Sequence, residues 1–291
     1  MSILKAEDLT FVYSQGTPYE HTAVDHVNVE FEKGELVGII GHTGSGKSTL
    51  LQQFNGLLKP TSGRVLVDGQ DIWADPSRIR ELRFKVGLVF QYPEYQLFEE
   101  SVVRDVMFGP LNLALSEEEA RSRAAEALKM VGLPESVYDK SPFELSGGQK
   151  RRAAIAGVLA MKSNTLILDE PTAGLDPHGR DEILSIMRDI HAGGTTLIMV
   201  SHSMTDVSLL CSRILVMNHA HLTLDGTPEA VFSDGDAIRA AGLEPPPCAQ
   251  LAECLRADGW TDIPTGAYTK DALADAIAAS LGAEGRTDVC R

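Results

Sequence analysis

Glu35-Leu36-Val37-Gly38-Ile39-Ile40 runs directly into Gly41-His42-Thr43-Gly44-Ser45-Gly46-Lys47-Ser48. Leu36 to Ile40 is a continuous apolar stretch of strand length, the kind that is buried on both faces of a parallel sheet. The following eight residues fit G-x-x-x-x-G-K-[S/T], and a helical stretch, Thr49 to Leu58, comes next. Strand, glycine-rich loop and helix in that order form a phosphate cradle. The glycines let backbone N–H groups curl around phosphate oxygens, and the helix turns its positive end toward the same anion. Gly41, Thr43, Gly44, Ser45 and Gly46 line the expected cradle, with Thr49 just behind it. Lys47 is expected to bridge the β- and γ-phosphates of a nucleotide and Ser48 to coordinate Mg2+.

Upstream, residues 3 to 33 read as short strands around a loop from Ser14 to Pro18, with polar and apolar residues alternating from Val27 to Phe31. Downstream, Arg64 to Gly69 ends in an Asp-Gly turn, a hairpin signal, and Val86 to Phe90 is another buried strand. Ser116 to Glu119 spells a capping box that starts a helix running to about Val131, so a helical insert interrupts the α/β pattern. Two further buried strands, Thr165 to Asp169 and Thr195 to Val200, flank a helix over roughly 179 to 192. Past Gly235, Pro245-Pro246-Pro247 marks a linker followed by two short helices. In the second, Leu273, Ile277 and Leu281 recur every four residues and share one face.

The 291 residues, 43% hydrophobic, are enough for a full core, and the net charge of −15 argues against a nucleic-acid partner. Cys211, Cys248, Cys254 and Cys290 show no paired spacing, which predicts reduced thiols rather than a metal site or disulfide framework. The N-terminus carries no secretion-signal pattern, and no apolar run approaches the roughly 20 residues needed to span a bilayer. These features predict a soluble chain that meets a membrane only through partners.

A phosphate loop alone does not separate kinases, GTPases and transport ATPases. Leu166-Ile167-Leu168-Asp169-Glu170 adds an acidic pair at a strand end: Asp169 is placed to hold the Mg2+ shell and Glu170 to polarise a water. Leu145-Ser146-Gly147-Gly148-Gln149 then supplies a second glycine-rich turn at a helix start, before Lys150-Arg151-Arg152 and an apolar run to Met161. It too is built to receive phosphate.

With the two motifs around it, this LSGGQ stretch resembles the signature of ATP-binding-cassette ATPases. The resemblance implies that ATP is sandwiched between the phosphate loop of one subunit and the signature residues Ser146, Gly147, Gly148 and Gln149 of another. It matches Asp176 to the interfacial aspartate, His202 to the γ-phosphate-sensing histidine, and Gln91 to a glutamine that reaches the Mg2+ and water site. Tyr13 matches the aromatic that stacks on adenine, with Tyr19 as the alternative.

Within that family, Thr17 to Glu20, Tyr92 to Glu100, Phe143-Glu144 and Ala156 to Met161 resemble the energy-coupling-factor transporters, closest to the second of their two paralogous ATPases. That implies a second ABC ATPase, paralog or self, a transmembrane scaffold, an attached substrate-binding membrane protein, and a position on the cytoplasmic face of the cell membrane. The cargo implied is a vitamin or transition-metal ion, chosen by another polypeptide. Tyr92 to Phe98 is read either as a groove for the scaffold's coupling helices or as ordinary core. The C-terminal helices are read either as a second dimer contact or as packing on the core.

The fold expected is α/β, a P-loop NTPase cassette with a RecA-like core, an N-terminal antiparallel β-subdomain, a helical signature subdomain over about 92–160 and a short helical extension. Residues 1–235 form the ATPase domain and 236–291 the extension. A dedicated cobalt or nickel importer differs from this reading in cargo alone. A DNA-maintenance ATPase needs a long coiled-coil or zinc-bearing insert, for which residues 92–144 have no pattern.

Overall fold

The computed structural model describes residues 2–75 and 77–284. The chain opens with two antiparallel strands, β1 (Ser2–Tyr13) and β2 (His21–Glu32), longer than the sequence suggested and kept continuous by register shifts. Val27, Val29 and Phe31 point into the core while Asn28 and Glu30 are exposed, as their alternation requires. Next come β3 (Leu36–Ile40), α1 (Lys47–Phe54), β4 (Ser62–Val67) and β5 (Gln70–Asp71). Asp68 and Gly69, with φ of 50° and 73°, make the tight turn that joins β4 to β5.

After α2 (Ile79–Lys85) and β6 (Val86–Val89), a 3-10 turn at Pro93–Gln96 leads into α3 (Val102–Asn112), α4 (Glu117–Met130) and α5 (Gly147–Leu159). The α/β alternation then resumes through β7 (Thr165–Asp169), α6 (Pro177–Ala192), β8 (Thr196–Val200), α7 (Met204–Leu210), β9 (Arg213–Asn218) and β10 (His221–Gly226). Four helices close the described chain: α8 (Pro228–Ser233), α9 (Gly235–Ala240), α10 (Pro247–Ala257) and α11 (Lys270–Glu284).

Two sheets result, one ordered β2-β1-β4-β5 and antiparallel, the other β10-β9-β3-β8-β7-β6 with only β10 antiparallel. Strands β3, β7 and β8 are buried along almost their whole length, with apolar centres, because both of their faces are covered. Leu36, Ile40, Leu166, Leu168, Leu197 and Met199 face the core shared with α3 to α6. Val37, Ile39, Ile167, Ile198 and Val200 face the core shared with α1 and the antiparallel sheet. Parallel pairing of β3 with β8 and β8 with β7 leaves all three carboxyl ends on one edge. The phosphate loop and the acidic pair are thereby brought side by side.

Several boundaries differ from expectation. Helix α1 starts at Lys47 and stops at Phe54 instead of running from Thr49 to Leu58, because Gly56 turns left-handed (φ 69°) and Leu57 and Leu58 bond back to the Gln52 carbonyl. At Ser116 only half of the capping box forms. The hydroxyl accepts from Glu119 N–H, while the Glu119 carboxylate turns away to pair with Arg123 at 2.7 Å. Helix α3 starts after Ser101, a residue type common at helix starts, although its side chain makes no capping hydrogen bond here.

Pro245 and Pro246 are buried, so the proline run is packed rather than a free linker. Ile238 and Ala241 belong to the main core, whereas Ala252, Ile263, Ala267 and Leu273 form a small core of their own. Ile277 packs against that small core, but Leu281 is exposed and departs from the shared buried face. Cys211, Cys248 and Cys254 are free thiols, and Cys290 lies outside the described residues.

Phe54 is fully buried and meets Phe31 edge-on at 5.4 Å between ring centroids, fastening the phosphate-loop helix to β2. Phe54→Ala is expected to cost about 3–5 kcal/mol, measurable as a lowered denaturant midpoint with little change in slope.

Candidate functional site

The loop between β3 and α1 has little freedom. A side chain at Gly46 would put its Cβ 2.0 Å from the Ala23 carbonyl oxygen, at a φ of 103° that L-residues rarely adopt. One at Gly41 would sit 2.4 Å from the Met217 carbonyl oxygen and 2.5 Å from Ser45 Oγ. Gly44, by contrast, faces open space, so an incoming group can approach its backbone directly. Lys47 is buried, and its ammonium donates to the carbonyls of Gly41 at 2.6 Å and His42 at 2.9 Å. Burial pushes the pKa of Lys47 down, opposed by the negative charges of Glu170 and Asp169. A buried cation ringed by carbonyl oxygens at the mouth of a glycine loop fits an anionic ligand.

Asp169 ends β7, and burial raises its pKa against the opposing effects of a Ser48 hydrogen bond and the Lys47 charge. Glu170 follows with a left-handed backbone (φ 51°), while its N–H continues the ladder to Val200 O at 3.0 Å. Its carboxylate accepts the His202 backbone N–H at 3.3 Å through Oε2. The buried Oε1 makes no hydrogen bond, although His202 Nε2 stands 3.2 Å away. Burial, which outweighs the His202 N–H, pushes the Glu170 carboxyl up to about 7. His202 moves the opposite way, lowered first by burial and then by Lys47.

Tyr13, Thr43, Gly44, Gly46, Lys47, Ser48, Thr49, Gln91, Asp169, Glu170 and His202 share one cleft of about 400 Å3, with His21 and Ala23 also on its wall. Tyr13 Oη lies 3.2 Å from Thr49 Oγ1, whereas Tyr19 is 84% exposed and away from the cleft. Ser146, Gly147, Gly148, Gln149 and Asp176 do not line it. Ser146 instead caps α5 in a complete capping box: its hydroxyl accepts from Gln149 N–H at 3.3 Å and its N–H donates to Gln149 Oε1 at 3.0 Å. A Cβ on Gly147 or Gly148 would meet nothing within 4 Å, so the helix start opens outward. Asp176 caps α6 by accepting from Gly179 N–H at 2.7 Å.

Two charged residues near the site are withdrawn from water with little in the sequence to mark them. Arg151 is legible only as one of three basic residues after the signature, and Asp206 only as the last residue of a Ser203-Met204-Thr205-Asp206 capping pattern, yet both are fully buried.

The chain matches the ABC transporter family over residues 24–173, from β2 to just past Glu170. It is 56% identical over 259 residues to the energy-coupling factor transporter ATP-binding protein EcfA2 of Clostridium tetani, covering 88% of this chain and 90% of that protein. The EcfA2 protein of Clostridium perfringens is 50% identical over 279 residues, covering 94% and 98%. Among solved structures, CbiO1 from Clostridium perfringens, part of the ABC transporter complex CbiONQ, aligns at 45% identity with a TM-score of 0.73, covering 82% of this chain and 94% of that one. An ATP-binding cassette in a dimeric post-hydrolysis state with ADP and Pi aligns at 32% identity with a TM-score of 0.69, covering 77% and 98%.

The raised Glu170 carboxyl contributes stability that is full below about 4.5 and is lost as pH rises through about 7. Glu170→Gln is therefore expected to raise the melting temperature of the nucleotide-free protein at about pH 8, by up to about 3 kcal/mol of stability, with the gain vanishing near its ordinary pKa. Paired thermal melts across that range check both the sign and the window.

Proposed function

The chain belongs to the ABC transporter ATP-binding proteins, in their energy-coupling-factor branch, and on that premise we propose how its residues divide the work of ATP hydrolysis. It is an ATP-binding and ATP-hydrolysing subunit, and among the described residues no helix is long and apolar enough to cross a membrane. The triphosphate lies along Thr43, Gly44 and Gly46 on the cleft wall, with Gly41 and Ser45 buried behind them and the Lys47 ammonium as its counter-charge. Tyr13 stacks on the base and Thr49 steadies that ring through its hydroxyl.

Ser48, Asp169 and Gln91 offer hydroxyl, carboxylate and amide oxygens, a donor set suited to Mg2+. When bound there, Mg2+ supplies charge neutralisation at the phosphate oxygens. Glu170, ionised and held by the His202 backbone N–H, orients the attacking water and takes its proton. A carboxyl brought to about 7 is poised to do so near neutral pH. The His202 ring, half-exposed beside it, reaches toward the outermost phosphate.

The single observation that carries this reading is the separation of the two glycine turns. Ser146 to Gln149 and Asp176 stand away from their own chain's cleft, and the signature opens outward. A second ABC ATPase, paralog or self, completes each site with its own signature, in keeping with the dimeric state of the related cassette that holds ADP and Pi. Tyr92, Tyr95, Phe98 and Phe108 are exposed, and Phe98 meets Phe108 edge-on at 5.0 Å beside a cleft that also includes Arg80 and Phe84. This surface receives the transmembrane scaffold subunit, which also engages a substrate-binding membrane protein. The complex sits at the cytoplasmic face as a peripheral ATPase and imports a micronutrient, either a vitamin or a transition-metal ion. Residues 1–235 act as the ATPase domain, with the helical subdomain over about 92–160, and 236–291 as its extension.

Glu170→Gln is expected to retain ATP binding while hydrolysis falls by about 10²- to 10⁴-fold, with a closed dimer accumulating. Turnover at the unsubstituted rate refutes the assigned role. Lys47→Ala is expected to abolish tight nucleotide binding. Replacing Tyr95 and Phe98 together by Ala is expected to reduce co-purification of membrane subunits while nucleotide binding is preserved, and undiminished co-purification rejects the docking surface.

A further inference from the structure

Two charged side chains are almost completely withdrawn from water without lining the nucleotide cleft: Arg151 at 2% and Asp206 at 0% exposure. Arg151 lies on α5, just past the signature. Its Nε and Nη2 donate to the Glu94 carboxylate at 3.0 and 2.8 Å, and Nη1 donates to the carbonyls of Ala173 at 2.6 Å and Pro171 at 3.3 Å. The guanidinium carbon also stands 5.7 Å from the Tyr92 ring centroid. Glu94 sits in the 3-10 turn just after Gln91, and Pro171 to Ala173 lie between Glu170 and Asp176.

The same loop is gripped from the other side. Thr172 Oγ1 donates to Asp206 Oδ2 at 2.8 Å, and Asp206 Oδ1 accepts from Arg180 Nε at 2.6 Å. Arg180 belongs to α6, and Asp206 lies on α7, which follows His202. Three consecutive residues are therefore fixed alternately by a cation and an anion, each anchored on a different helix.

Stability alone is a poor explanation for this arrangement. A buried ion pair often contributes no more than well-packed apolar residues of the same volume, because desolvation offsets the attraction. What the arrangement does impose is geometry. A planar guanidinium with several fixed donors can tie a carboxylate to two carbonyls at once, which an ammonium cannot reproduce. Glu170 is a non-glycine residue at φ 51°, a conformation that persists when its surroundings over-determine it.

We propose that Arg151 and Asp206 are positioning residues that hold the Glu170–Asp176 loop in its hydrolytic geometry, and that the Arg151–Glu94 pair ties this loop to the Tyr92–Phe98 docking segment. Partner engagement and water orientation then share one mechanical link. The inference rests on Glu170 and Tyr92–Phe98 having the roles given above.

The test uses the complex purified from its native host with its membrane partners, and measures ATPase kcat, KM for ATP and thermal stability. Glu94→Gln is expected to lower kcat by about ten- to a hundred-fold, with KM within about two-fold, because a small displacement of a reacting group costs that much rate. The neutral double variant Glu94→Gln with Arg151→Met is expected to recover thermal stability without recovering kcat. Arg151→Lys is expected to leave kcat depressed as well. Recovery of kcat along with stability in the double variant reduces the pair to a structural role and overturns the proposal, as does an unchanged kcat in Glu94→Gln. Full activity of Glu170→Gln in the same preparation instead brings down the underlying functional reading.

Discussion

All of the chemistry in this molecule depends on parallel pairing. Because β3, β8 and β7 run in the same direction, their carboxyl ends emerge on one edge, and the residues that leave that edge are forced together. There the buried Lys47 ammonium and Glu170 carboxylate and the half-buried Asp169 carboxylate stand close enough to act on one another's protonation. None is neutralised by a full ion pair with another. Lys47 satisfies itself on carbonyl oxygens, and one Glu170 oxygen has no hydrogen bond at all. A site holding unbalanced charge in a low dielectric is costly at rest and responsive to whatever enters it.

Much of this was legible in the order of residues. The apolar run ending at Ile40, the glycines after it and the acidic pair after Leu168 each have a local physical meaning that tertiary context did not change. The turn at Asp68-Gly69 formed as its residue types demand. What failed was local punctuation with competing partners. Glu119 had two possible partners, the Ser116 N–H and the Arg123 side chain, and the latter won. Gly56 was available as a stop signal for α1, but apolar Leu57 and Leu58 masked it.

The less legible residues are those whose role is entirely long-range. Asp206 makes sense only once Thr172 and Arg180, distant in sequence, have been folded against it. Arg151 reads as one of several surface cations until Glu94 is seen 57 residues away at its guanidinium. Likewise the proline run looked like a tether because composition cannot say that Pro245 and Pro246 will find cover. Periodicity placed Leu273 and Ile277 correctly on one face. It could not tell that the small core is already filled before Leu281.

The capping box at the start of α5 has a consequence for chemical selectivity. The Ser146 oxygen already spends acceptor capacity on the Gln149 N–H, and its own N–H is occupied by the Gln149 side chain. What the hydroxyl has left to offer outward is its proton and one remaining lone pair. The turn thus meets its surroundings as a mainly proton-giving surface, because the first amides of α5, at Gly147 and Gly148, have no partner within the helix. Such a surface favours ligands that bring many lone pairs and negative charge, and it offers a cation little to hold.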